Sequence, residues 1–319
     1  MRALAAWLLL ALAGSAFAQA WPAKPVRIIV PFPPGGGAEA AARFLAGHLS
    51  QALGQSFVID NRPGGNTVIG TEAAAKSAPD GYTLLLTGGS TMSIQPLVFA
   101  GRLPYDPLGD FAPVTQVSHF PFFVVVPASL KVDSLAELVA YAKARPGQLS
   151  YASNGSGTMA HLGMEMLKQA TGMDLLHVPY KGFGPALPDL LSGRVTVMMA
   201  DLAPVGQQVR SGALRALAAT SRERSSFLPE VPSVAELGHP GYEIDVWFGL
   251  FAPARTPPEI VAKLNAESVR YLGSAEAKEA FGKVGHEPLP SSPEAVRARI
   301  VAEQKSFAKA VKDAGLKPE

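Results

Sequence analysis

The chain has 319 residues, 48% of them hydrophobic, and its 28 Lys and Arg against 26 Asp and Glu leave a formal charge of +2. The cations are scattered, which excludes a nucleic-acid surface of the kind that needs clustered positive charge. There is no cysteine, so disulfides, thiolate metal sites and a cysteine-linked lipid anchor are excluded as well.

The first residues read as an export signal. Arg2 is the only charge before Lys24, Leu4 to Ala13 is apolar, and Ala16-Phe17-Ala18 and Ala18-Gln19-Ala20 are small-x-small sites. The apolar stretch is roughly half of the ~20 residues that a bilayer span needs. A signal over 1–20, cut near Ala18 or Ala20, is therefore expected in preference to a membrane anchor. An exported chain without disulfides fits a bacterial periplasm and is held by core burial alone; the ~300 residues that remain suffice for two domains.

Val26 to Val30 is a near-continuous apolar run, as a buried parallel strand requires. A Pro/Gly loop from Pro31 to Gly37 follows. Ala41, Phe44, Leu45, His48, Leu49, Ala52 and Leu53 then recur at helical spacing, and Gly54 stops the helix. A strand from Ser56 to Asp60, a helix from Val68 to Ser77 and a strand from Thr83 to Leu86 continue the alternation, which implies right-handed crossovers and a parallel sheet. Between Phe111 and Val126 two extended runs, Val114–Val117 and Phe122–Val126, have no helix between them, and the chain is expected to cross there into a second lobe. That lobe alternates helices over 134–144, 158–170, 185–191 and 204–211 with strands over 149–152, 175–178, 195–199 and 214–220. Pro229 to Gly241 is turn-rich, 245–252 is extended again, and helical patterns close the chain over 257–272, 275–284 and 293–314. The first lobe is thus expected at 21–121 and 245–319 and the second at 122–244. Two crossings, near 117–125 and 242–248, make a hinge.

Three loops share one construction. Pro33-Pro34-Gly35-Gly36-Gly37, Thr87-Gly88-Gly89-Ser90-Thr91 and Ser153-Asn154-Gly155-Ser156-Gly157-Thr158 each follow a strand, and the first and third open a helix. Ligands of open α/β sheets bind at such carboxyl ends of strands. The free N–H groups of a helix start, with the helix dipole, favour an anion. The alternative is that the glycines serve turn geometry only. The expected ligand contacts are Phe32, Pro33, Gly36, Gly37, Ser90, Thr91, Ser153, Asn154, Gly155, Gly157, Thr158, His161 and Asp201. His161 either faces the ligand or is a satisfied, partly buried histidine, and Asp201 either holds a ligand donor or caps the helix that opens near Pro204. Tyr180 and Lys181 line the cleft or its rim. Phe32, Met92, Met159, Phe183 and Trp247 are either apolar cleft walls or core.

The same residues also admit enzymatic readings. Gly155-Ser156-Gly157-Thr158-Met159-Ala160 fits a dinucleotide fingerprint, but a free nicotinamide cofactor is not expected outside the cytoplasm, and no cofactor is expected. No P-loop is present. Ser156, His161 and Asp201 can be drawn as a hydrolase triad, but no G-x-S-x-G elbow supports them. The six histidines show no metal spacing.

Taken in order, Trp21-Pro22-Ala23-Lys24-Pro25, Val30-Pro31-Phe32-Pro33-Pro34-Gly35-Gly36, Asp60-Asn61-Arg62-Pro63-Gly64, Ala78-Pro79-Asp80-Gly81-Tyr82-Thr83, Leu103-Pro104-Tyr105-Asp106-Pro107, His177-Val178-Pro179-Tyr180-Lys181-Gly182, Leu214-Arg215-Ala216-Leu217-Ala218 and Trp247-Phe248-Gly249-Leu250 carry a resemblance. From Trp21 to its C-terminus the chain resembles the extracytoplasmic solute receptors of tripartite tricarboxylate transporters, the Bug proteins. The resemblance implies a two-lobed, type II-like periplasmic binding fold, each lobe a mainly parallel sheet flanked by helices. It implies a small carboxylate as ligand, held by loop backbone, hydroxyls and ordered water. It also implies delivery to a membrane permease of one large and one small subunit; the receptor is expected to be a monomer, and a ligand-sensing role in signalling would use the same closure. One stretch departs from the family pattern: where members have Thr-Asp-Thr-like residues, this chain has Ala38-Glu39-Ala40, so a hydroxyl near the ligand is missing.

Overall fold

The structure, a computed structural model, describes residues 21–316; the expected signal and its cleavage sites lie outside the described residues. The first sheet holds β1 (Val26–Val30), β2 (Phe57–Asn61), β3 (Thr83–Gly88), β4 (Phe111–Pro121), β10 (Asp245–Pro253) and the short β11 (Glu287–Pro288), in the order β11-β4-β10-β3-β1-β2. The second holds β5 (Phe123–Pro127), β6 (Ser150–Ser153), β7 (Leu176–Pro179), β8 (Val197–Ala200) and β9 (Leu214–Ala219), in the order β7-β6-β8-β5-β9.

Both sheets repeat one plan. β1 pairs in parallel with β2 and β3, and β6 with β7 and β8. The next place in each sheet is taken by the first strand after the chain arrives from the other lobe: β10 is antiparallel to β3 and β4, and β5 to β8 and β9. The two-lobed α/β architecture expected from the alternation is therefore present, with four strands of each lobe running one way. An apolar run reads the same in either direction, so the pattern does not show the reversed strands: β10 and the short β11 in the first lobe and β5 in the second.

The apolar runs follow from burial on both faces. Val26, Ile28 and Val30 pack on one side of β1 while Ile29 packs on the other with Leu85, Trp247 and Phe251. In β5, Val124 and Val126 face one core and Phe123 and Val125 another. Helices cover both faces. In the first lobe these are α1 (Gly37–Leu53), α2 (Val68–Ala75), the short α3 (Gln95–Val98) and, after the return crossing, α8 (Pro258–Leu272), α9 (Ala275–Gly282) and α10 (Pro293–Asp313). The second lobe adds α4 (Leu135–Lys143), α5 (Met159–Thr171), α6 (Phe183–Leu191) and α7 (Leu202–Arg210). Among the described residues no helix is long and apolar enough to cross a membrane.

The crossings are joined to each other. Phe122, between β4 and β5, donates its N–H to Thr220 Oγ1 at 2.9 Å, and that hydroxyl donates to the Ile244 carbonyl at 2.8 Å. The Thr220 backbone bonds both segments too, donating to Phe122 O at 2.9 Å and accepting from Ile244 N at 2.8 Å. Thr220 is fully buried. Thr220→Val keeps the shape but leaves the Phe122 N–H and the Ile244 carbonyl each short of a partner. It should cost about 1–3 kcal/mol in urea denaturation, and Thr220→Ser should recover most of the loss.

Candidate functional site

A cavity of about 210 Å³ lies between the two sheets. The first lobe contributes the loop after β1 with the first turn of α1, and the turn Gly88–Ser90 after β3. The second lobe contributes Asn154 after β6, Gly182 to Pro185 at the start of α6, and Asp201 and Pro204 at the start of α7. The crossings supply Phe120, Phe122, Val246, Trp247 and Phe248.

Among the expected contacts, Phe32, Pro33, Gly36, Gly37, Ser90, Asn154 and Asp201 line this cavity. The structure does not bring Thr91, Ser153, Gly155, Gly157, Thr158 or His161 to it. Their polar atoms are spent inside the protein. Thr91 Oγ1 lies 2.8 Å from the Thr87 hydroxyl and 2.9 Å from that of Thr67. Ser153 Oγ is 2.7 Å from His177 Nε2. The Thr158 hydroxyl donates to the Gly155 carbonyl at 2.8 Å and accepts from His161 N, capping α5. Gly157 N–H donates to His161 Nδ1 at 3.0 Å, and Met159 N–H crosses the cleft to Ser90 Oγ at 2.9 Å. The α5 start, expected to be open to an anion, is thus filled by its own chain and by one serine of the other lobe. Gly155 is held at φ +142°, a conformation that L side chains rarely adopt, and a Cβ there would lie 2.3 Å from Asn66 Oδ1.

Of the apolar candidates, Phe32, Phe183 and Trp247 line the cavity, while Met92 and Met159 are core. Tyr180 and Lys181 are not among the lining residues; the Tyr180 hydroxyl donates to Asp189 at 2.7 Å. The hydrolase triad is not assembled. No hydrogen bond joins Ser156, His161 and Asp201 among the described residues, Ser156 Oγ is buried without a partner, and Asp201 Oδ2 lies 3.3 Å from His286 Nε2. Asp201 occupies the residue before α7 yet makes no side-chain cap. It reaches His286 of the first lobe instead, whose ring stacks on Phe120 at 3.9 Å.

Glu39 explains what the departing stretch does. It is buried one turn into α1, accepts the Gly35 N–H at 2.5 Å and pairs with Arg43. The Gly35 hydrogen bond is the main cause that holds its carboxyl below the usual range, helped by Arg43 against the effect of burial. One N–H of the loop is therefore occupied by the protein.

The crossing residues Phe120, Phe122, Val246 and Phe248, expected only at the hinge, also floor the cavity, beside Trp247, one of the expected apolar candidates. Gly182, Gly184 and Pro185 line the cavity beside the expected Phe183 and were not expected there, although a glycine-rich turn between a strand and a helix is the signal used elsewhere in the chain. The lobes meet around the cavity: Asn66 Nδ2 donates to the Ser156 carbonyl at 2.6 Å, and Ser226 Oγ donates to Glu287 at 3.0 Å. The arrangement is closed.

A family profile described as the tripartite tricarboxylate transporter family receptor matches residues 41–316. The chain belongs to that family. It is accordingly a solute receptor of the carboxylate-binding kind. It is 43% identical over 300 residues to the protein BugT of Bordetella pertussis, covering 94% of this chain and 92% of that one. The structure of Rpa4515 of R. palustris with adipate is similar at 38% identity and a TM-score of 0.90, covering 94% of this chain and all of that one. MatC of Rhodopseudomonas palustris with bound malate is similar at 30% identity and a TM-score of 0.85, covering 91% of this chain and all of that one.

His161 gives this receptor a pH-dependent fold. Burial, with smaller contributions from His177 and Lys168, pushes its ring down to about 3. In the unfolded chain histidine titrates near 6.5, so between about pH 6.5 and 3 the unfolded state binds the extra proton, and stability falls as pH falls through that window. From pH 7 to 4.5 chemical denaturation should show a loss with a His161 share of about 2 kcal/mol, and His161→Gln should flatten the fall.

Proposed function

We propose that this chain is the periplasmic receptor of a tripartite tricarboxylate-type transporter, that it performs no chemistry, and that it closes lobes 21–121 with 245–319 and 122–244 around one small carboxylate. The observation that carries this reading is the meeting of helix starts from the two lobes, α1 from one and α6 and α7 from the other, across a closed aromatic cavity. The first N–H groups of a helix have no partner within it, and the dipole favours negative charge there. The proposed contacts are Phe32, Pro33, Gly36, Gly37, Ser90, Asn154 and Asp201 with Phe183, and with Gly182, Gly184 and Pro185, which the sequence did not single out as contacts.

A carboxylate held by one lobe leaves the other lobe's donors and rings unused until closure. A ligand drives closure only by binding the closed form better, and here that surplus comes from contacts with both lobes. The closed shape is then what the membrane permease reads from a monomeric receptor. The adipate and malate held by the two similar proteins support a small carboxylate, and the unassembled triad supports a role in binding alone.

A thermal-shift screen with mono-, di- and tricarboxylates tests this. An acid at ~100 times its dissociation constant should stabilise the protein by about 2.7 kcal/mol, with no consumption of ester or amide substrates before or after Ser156→Ala. Absence of a shift with every acid, or turnover lost in Ser156→Ala, contradicts the proposal.

A further inference from the structure

The cavity has an unusual balance for a site that holds an anion. Asp201 is the one ionisable residue among those lining it, and only 3% of its surface is exposed. No lysine or arginine lines it. The helix start on the first-lobe side already faces two carboxylates of the protein. Glu39 takes the Gly35 N–H, and a Cβ on Gly37 would lie 2.5 Å from Asp201 Oδ2. Its capacity for a further anion is reduced accordingly. The start of α6 has no such neighbour in contact: a Cβ on Gly184 would meet nothing within 4 Å. Two acceptors border the space. One is Asp201; the other is Asn154 Oδ1, buried and without a partner. A buried acceptor that stays unpaired costs free energy, so Asn154 is best matched by a donor on the ligand, and the Asp201 carboxylate, which meets His286 through one oxygen, has lone pairs left for another.

The walls are rings. Phe32 meets Phe248 edge-on at 6.0 Å, Phe248 lies 5.1 Å from Phe120, Phe120 lies 6.1 Å from Phe122, and Phe122 meets Phe183 edge-on at 5.9 Å. This chain of rings runs from the first lobe through the crossing to the second. It offers a flat apolar body edge and face contacts that a polar chain cannot use. A ligand with two or three charges would set them beside Asp201 with no cation to offset them, and unpaired buried charge is costly.

Resting on the reading of this cavity as the receptor's ligand site, we infer that the ligand is a singly charged carboxylate with a flat, ring-sized apolar body and a hydroxyl or amine that donates to Asp201. The carboxylate takes the open donors at the start of α6, the rings hold the body, and Asp201 rejects a second negative charge as well as accepting the donor. Asp201 is thereby a specificity-determining residue, kept in place by His286.

Titration calorimetry on the purified protein separates the possibilities, with 3- and 4-hydroxybenzoate, 4-aminobenzoate, benzoate, adipate and citrate as probes. At least one donor-bearing ring acid should bind 10-fold or more tightly than adipate or citrate, and more tightly than benzoate. Asp201→Asn should close the gap to adipate at least fivefold, because the charge is removed while an acceptor remains. Phe122→Leu serves as a second variant should Asp201→Asn fail to fold, as judged by its ligand-free melting. It should weaken the ring acids at least fivefold and leave adipate within threefold. Adipate or citrate binding as tightly as the ring acids, or a gap unmoved in both variants, overturns the inference and leaves the receptor standing. No binding by any acid overturns the receptor reading and the inference with it.

Discussion

Thr220 holds both segments that pass between the lobes, through its hydroxyl and through its own backbone N–H and carbonyl. The crossings are therefore tied to each other at one buried point, where a hinge between the lobes would lie. The same constraint builds the site. Because β5 and β10 enter their sheets as reversed strands immediately after the crossings, the residues flanking the tie, Phe120, Phe122, Val246, Trp247 and Phe248, are delivered to the floor of the cavity. The cavity floor and the tie between the crossings are thus built from the same segments, with Phe122 in both.

The recognition of an anion then falls to what the loops leave free. α5 has its opening donors satisfied by His161, Thr158 and Ser90, and the loop before α1 gives one N–H to Glu39. Trp247 lines the cavity with its ring only, because its indole N–H is held by Glu303 at 2.8 Å. Glu303 in turn receives Arg299, which also reaches Asp245 at the start of the return strand. A cation near the site is thus committed to the hinge and not to the ligand. What remains is backbone dipole and aromatic surface, a combination that binds through shape and desolvation more than through net charge.

Much of this was legible in the chain because its signals are local. The apolar runs of β1 and β3 reflect burial on both faces of a sheet, and the helix stop at Gly54 reflects a left-handed residue at φ +69°. The glycine loops after β1 and β3 mark the site for the same local reason. The direction of β5 and β10 was not legible, since it is fixed by pairing between residues far apart in the chain, as in Phe248 with Gly88 and Phe123 with Ala200. The third glycine loop misled because whether a helix start is open depends on which side chains come back to it: Ser153, Thr158 and His161 are the residue types that bind anions, and here they bind their own loop. Asp201 stood between a cap and a ligand contact; only the fold, which sets His286 and Gly37 against it, shows that it does not cap its helix.

The absence of cysteine makes the most direct measurement simple. Spin labels on single cysteines placed at Val58 and Leu176, 52% and 65% exposed on strands of opposite lobes, report the distance between the lobes by pulsed electron resonance. Closure around a carboxylate predicts a broad, longer distribution without ligand that collapses to one shorter distance on saturation with an acid that binds. The same distribution with and without every acid of the panel would contradict it.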